Sequence, residues 1–191
     1  MRKQTGTRLA GLGIGLALLL AGCGSDDGAG VRNVDGTQSA SASGTGSGSG
    51  TASGTVAACR PVGDAGAADA TIAVELKEWS VTPARGDAPA GTITFEARNT
   101  GEDAHELVVV RADDPASLPL GADGLVDEAK LPAGALVGEI EAFPAKQTCP
   151  GTFELTPGRY ALFCNILETE ADGRKDNHYA NGMRARFEVR G

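Results

Sequence analysis

The last stretch of the chain, GRYALFCNILETEADGRKDNHYANGMRARFEVR, restricts the possible folds more than any other. Tyr160, Leu162 and Cys164 alternate along one apolar run, and Phe187 and Val189 share a face of a second. Period-two alternation predicts two half-buried strands. Cys164, His178 and Met183 then fall on one connection between neighbouring strands. A thiolate, an imidazole and a weak thioether form a donor set that suits copper. A mononuclear site of this type needs a second imidazole. The sequence holds two histidines in all, so that ligand has to be His105. Taken alone, His105 reads as a surface residue at a loop edge. Taken with the C-terminal set, it requires a fold that carries the start of the run His105–Val110 to the C-terminal connection.

The other segments are consistent with such a fold. Thr71–Lys77 alternates, with Ile72, Val74 and Leu76 on one face, and predicts a strand. Trp79 follows, and reads as a core residue or a plug at the end of a barrel rather than as part of an electron path. Pro83–Gly91 has turn chemistry, and Gly91–Arg98 alternates again, with Ile93, Phe95 and Ala97 inward. Asn99-Thr100-Gly101 is a turn signal, and His105–Val110 is β-branched and predicts a strand. Asp113–Pro132 is irregular, with room for one short helix near Asp123–Lys130. Ala135–Ala142 and Thr152–Leu155 are further strand candidates, and Thr156-Pro157-Gly158 is a tight turn. Short strands, frequent turn signals and little helix indicate an all-β sandwich or barrel.

Two pieces of the sequence carry a resemblance to a known family. F-E-A-R-N-T-G-E-D-A-H-E-L-V-V, with His105, resembles an N-x-G-x-x-x-H entry to a strand. G-R-Y-A-L-F-C-N-I, followed by N-H-Y-A-N-G-M-R-A-R-F-E-V, resembles a Y-x-x-x-C…H-x-x-x-G-M close, with Gly182 before the methionine. Together they resemble the cupredoxins, the type 1 blue copper proteins of plastocyanin-like kind. The resemblance implies a cupredoxin-like Greek-key β-sandwich of about seven or eight strands. It also implies one type 1 copper per chain, held by His105, Cys164, His178 and Met183, with electrons crossing at the edge of His178. The amide of Asn165, after the cysteine, is expected to hydrogen-bond the sulfur and tune the potential. One departure is plain: residues 165–177 intervene between the cysteine and the second histidine, where the family has a few. Long surface loops add little closure entropy. The insertion is therefore expected to be mostly a solvated loop, although it has the length to widen the site or cover the imidazole edge.

The N-terminus reads as an address. Arg2, Lys3 and Arg8 precede an apolar run, Leu9 to Ala21, too short to span a membrane. Leu20-Ala21-Gly22-Cys23 resembles the lipobox of bacterial lipoproteins, which implies a signal peptide at 1–22 and a lipidated Cys23. Residues 23–57 then comprise that cysteine and a linker of Gly, Ser, Thr and Ala, unable to bury enough surface to order itself. Residues 58–191 are one domain's worth of chain. Cys59 and Cys149 remain, and outside the cytosol two spare thiols usually pair; two free thiols are the alternative.

The formal net charge of -8 and a pI near 4.8 speak against nucleic acid as a partner. Enzymatic readings lack residues, because both histidines are already assigned and no second cysteine lies near Cys164. The expectation is a monomeric copper lipoprotein outside the cytoplasm, at the cell surface or in the periplasm, exchanging single electrons with redox partner proteins. A copper storage or delivery lipoprotein and a metal-free binding module of the same fold are the alternatives.

Overall fold

The computed structural model describes residues 56–191, and the expected signal peptide at 1–22, Cys23 and most of the expected linker lie outside them. Alternation builds β1 (Ala70–Lys77): Ile72, Val74 and Leu76 are buried, and the residues between them face solvent. Two short strands follow, β2 (Ser80–Pro83) and β3 (Asp87–Pro89), from a segment whose composition predicts a turn. The longer strands are β4 (Gly91–Asn99), β5 (His105–Arg111), β6 (Leu136–Phe143), β7 (Thr148–Leu155) and β8 (Gly158–Phe163). After Cys164 come a small hairpin, β9 (Leu167–Thr169) with β10 (Lys175–Asn177), one helical turn, α1 (His178–Asn181), and β11 (Arg184–Arg190).

Nine of these strands form two sheets, ordered β2-β1-β4-β7 and β3-β11-β8-β5-β6. The chain passes repeatedly from one sheet to the other, giving the expected Greek-key sandwich. The strand number exceeds expectation because short edge strands need only a few ladder bonds and leave almost no periodic signal. The inner faces of both sheets meet in one core, where Phe95 packs edge-on against Phe187 with ring centroids 5.2 Å apart. Cys164 and Met183 belong to this core.

The five-stranded sheet is buried on its outer face too. Val108, Val110, Ala161 and Phe163 pack under Leu118, Val126 and Tyr179. The segment between β5 and β6 supplies this cover with two 3-10 turns, Pro115–Ser117 and Glu128–Lys130, the second falling where a short helix is expected. Burial on both faces makes β5 read as a continuous apolar run rather than an alternating one.

Cys59 and Cys149 form a disulfide that ties the start of the domain to β7, with their Cα atoms 5.4 Å apart. No described helix is long and apolar enough to cross a membrane.

Candidate metal centre

Three strand ends deliver the donors to one end of the sandwich. His105 is the first residue of β5, Cys164 immediately follows β8, and His178 opens α1. All three are fully buried. Backbone bonds lock the C-terminal part: the Cys164 amide donates to the Met183 carbonyl at 3.0 Å, and the Met183 amide to the His178 carbonyl at 3.0 Å. The His178 amide in turn donates to the Ile166 carbonyl at 3.0 Å. Asn177 caps α1, its side chain accepting from the Ala180 amide. Gly182 has φ 123°, a conformation that favours glycine, and a Cβ there would lie a tight 3.0 Å from the Trp79 carbonyl oxygen.

The ring nitrogens and the sulfur converge. His105 Nδ1 lies 3.3 Å from His178 Nδ1, and Cys164 Sγ lies 3.4 Å from His178 Nδ1. The three donor groups are within 4.8 Å of one another. Donors bound about 2.0–2.3 Å from a first-row metal, spread in a plane around it, stand roughly 3.5–4 Å apart. The trio therefore fits one ion with little movement. Met183 is fully buried in the same core cluster as Cys164.

The insertion between cysteine and histidine folds back on itself. Leu167 pairs with Asn177 across the β9–β10 hairpin, so the chain leaves and returns at adjacent positions. The donors converge despite the added length. The charged run is more than a solvated loop, however, for it sets the Glu168 carboxylate 3.7 Å from His178 Nε2. That distance is too long for a hydrogen bond, and this nitrogen is a buried polar atom with no hydrogen-bond partner.

His105 has a firmer partner that its sequence context does not announce. Its Nε2 lies 3.2 Å from Glu78 Oε1. A carboxylate there accepts the Nε2 proton, leaving the Nδ1 lone pair free to face His178. Glu78 is itself held by the amides of Glu102 at 2.7 Å and Asp103 at 2.9 Å. Burial pushes its pKa up, but those amides and the nearby imidazole outweigh this and bring it down to about 2. Gly101 is what lets the carboxylate seat, since a Cβ there would stand 2.3 Å from Glu78 Oε1.

Two sequence expectations change. The Asn165 amide does not serve the sulfur; it donates to Glu106 Oε1 at 2.8 Å. The amides of Glu106 and Ile166 are the ones that bond Cys164. Asn165 clasps Val126 instead, accepting from its amide at 2.7 Å and donating to its carbonyl at 3.0 Å. The reversal has a simple origin: the residue after a strand's last inward position points to the opposite face, here the outer cover. Trp79 is not a core residue. It is 36 % exposed, with its ring edge-on to His178 at a centroid distance of 5.4 Å.

Burial sets the protonation of the donors. Desolvation lowers the pKa of His105 despite the opposing pull of Glu78, and desolvation plus the neighbouring His105 brings His178 to about 4. Both imidazoles are therefore neutral at pH 7, as metal ligands must be. Burial and the Glu106 charge push the Cys164 thiol well above its usual value. Metal binding at this cysteine has to release a proton.

A two-sheet sandwich that gathers two imidazoles and a thiol at one end, from β5 and from the β8–β11 connection, decides the fold type. The domain is a cupredoxin-like sandwich. Its solved likenesses include auracyanin from Roseiflexus castenholzii, at 22 % identity and a TM-score of 0.44, covering 65 % of this chain and 99 % of that one. Auracyanin B is similar at 18 % identity and a TM-score of 0.47, over 70 % and 97 % of the two chains. Rusticyanin from Thiobacillus ferrooxidans follows at 18 % and 0.37, over 63 % and 77 %. No family model matches the cupredoxin-like chain, and no curated protein matches it.

Proposed function

We propose that this protein is an extracytoplasmic, membrane-tethered carrier of single electrons, built around one type 1 copper ion. The convergence of His105 Nδ1, His178 Nδ1 and Cys164 Sγ carries the reading. Copper in such a site supplies a one-electron couple. The residues supply the rest. The two neutral imidazoles, the Cys164 thiolate and the Met183 thioether would hold the ion, and zinc chemistry would leave Met183 without a role. The backbone bonds among Cys164, His178 and Met183 hold the donor segment in place beforehand, so little needs to move when charge changes. Glu78 orients His105, and the amides of Glu106 and Ile166 stabilise negative charge on the sulfur.

The tether is part of the proposal: lipid on Cys23 holds the domain to a membrane through the Gly-, Ser-, Thr- and Ala-rich segment that follows it. A Cys59–Cys149 disulfide suits an oxidising compartment.

Adding copper(II) to the purified protein tests the function. The expected result is an intense blue thiolate charge-transfer band that bleaches and recovers through repeated reduction and oxidation, and that is absent from Cys164→Ser. A colourless complex that cannot be reoxidised favours copper storage or delivery instead.

A further inference from the structure

The imidazole edge through which electrons are expected to pass is closed. His178 is fully buried, the hairpin β9–β10 sets Glu168 beside its Nε2, and no protein group hydrogen-bonds that nitrogen. The ring does meet one partly exposed aromatic group, Trp79, edge-on at 5.4 Å. Trp79 is the sole tryptophan of the chain and one of three large apolar side chains exposed among the described residues. The other two, Leu120 and Leu136, carry no π system. The indole is thus a bridge from a buried ligand to the surface.

The indole's surroundings are acidic. Glu78 precedes it and is gripped by the amides of Glu102 and Asp103. From the inserted hairpin, Glu168 lies close enough to Glu78 and Asp103 to act on their charge, Asp176 close enough to Asp103, and Glu170 neighbours Glu168. Arg174 pairs with Asp176 at 3.0 Å, and Lys146 donates to the Thr100 and Gly101 carbonyls, which offsets only part of the negative charge. An exposed aromatic anchor within a charged rim is the usual form of a protein docking site, with the rim steering and the anchor holding.

We propose that Trp79 is the electron port of this protein, and that the acidic rim around it docks a basic one-electron transfer protein. This rests on the copper reading above. In the exchange, copper(I) gives one electron to the partner's oxidised centre, becoming copper(II) as the partner is reduced. No proton or bond changes hands, and the indole is a conducting contact that is neither oxidised nor consumed.

The test uses the full chain, copper(I)-loaded and metal-free, with a basic cytochrome c as probe. Because there is one tryptophan, the protein shows one indole N–H resonance. Titration with the unlabelled cytochrome is expected to shift that resonance in both forms, and added salt to reverse the shift. Trp79→Leu and Trp79→Phe are both made, so that a poorly folding variant does not end the test. The leucine variant is expected to bind the cytochrome and reduce it about tenfold less well, as truncated aromatic anchors do, with its blue band retained. The phenylalanine variant is expected to fall between it and the parent. Glu102→Lys with Glu170→Lys is expected to flatten the salt dependence of the rate. An unmoved indole resonance with shifts elsewhere, or unchanged reduction by blue Trp79→Leu, overturns the port while leaving the copper reading intact. A parent protein that never turns blue overturns both.

Discussion

Glu78 shows how much one side chain contributes at this centre. It joins the imidazole of His105 to two backbone amides of the turn that precedes β5. Losing a carboxylate of this kind typically costs 10–100-fold in metal affinity. Glu78→Gln is therefore expected to weaken copper binding by roughly that factor in competition with a chelator. Unchanged affinity would mean that His105 is oriented by its strand alone. Gly101→Ala is expected to act in the same direction, because its Cβ has no room beside Glu78. His105, Cys164, His178 and Met183 stand out in the sequence because each residue type has few copies. Glu78 does not, being one acid among 25 acidic residues and 27 positions from its histidine. No local pattern encodes such a pairing; only the folded turn does. The Asn165 expectation failed for a related reason, since it assumed the reach of an amide from sequence adjacency.

Among the elements, the long strands were legible and the short ones were not. β1, β4 and β5 are long enough for alternation or β-branching to register. β2, β3, β9 and β10 have three or four residues each; β2 and β3 form where a sheet edge accepts them, and β9 and β10 by pairing with each other. The inserted hairpin changes how the site meets solvent. Replacing residues 168–176 with a short turn is expected to uncover His178 Nε2 and to speed electron exchange with a small inorganic oxidant such as ferricyanide. Stopped-flow rates no faster than the parent's would show that the hairpin is not the cover. On β6, Glu139 carries a cost. Burial, with the charges of Glu128 and Glu141, raises its pKa. A carboxyl group with a raised folded-state pKa penalises folding in full above that pKa, and the penalty shrinks as pH falls through it and is gone below the unfolded value. Glu139→Gln is expected to unfold later than the parent in urea at pH 7, with the difference vanishing under acid. A difference independent of pH would assign the effect to packing.

At the scale of the whole molecule, the Cys59–Cys149 bond closes the chain over a separation of 90 residues. Replacing both cysteines with alanine is expected to cost about 2–4 kcal/mol. It should lower the thermal midpoint by several degrees and leave the blue absorption in place, since neither residue is among the converging donors. Loss of colour at temperatures where the variant remains folded would link the disulfide to the site. The sandwich explains why the donors occur so far apart in sequence. His105 arrives with the core strand β5, and the others on the connection that closes the last two long strands, so the site exists only when both sheets are assembled.

X-ray absorption at the copper edge is the most direct test of that convergence, because it counts the ligands themselves. The expected spectrum shows two nitrogens and one sulfur within about 2.0–2.3 Å of a single copper ion, with the sulfur lost in Cys164→Ser and one nitrogen lost in His105→Ala. A shell of oxygens and nitrogens with no sulfur, or one that His105→Ala leaves unchanged, would contradict the meeting of these residues on one ion.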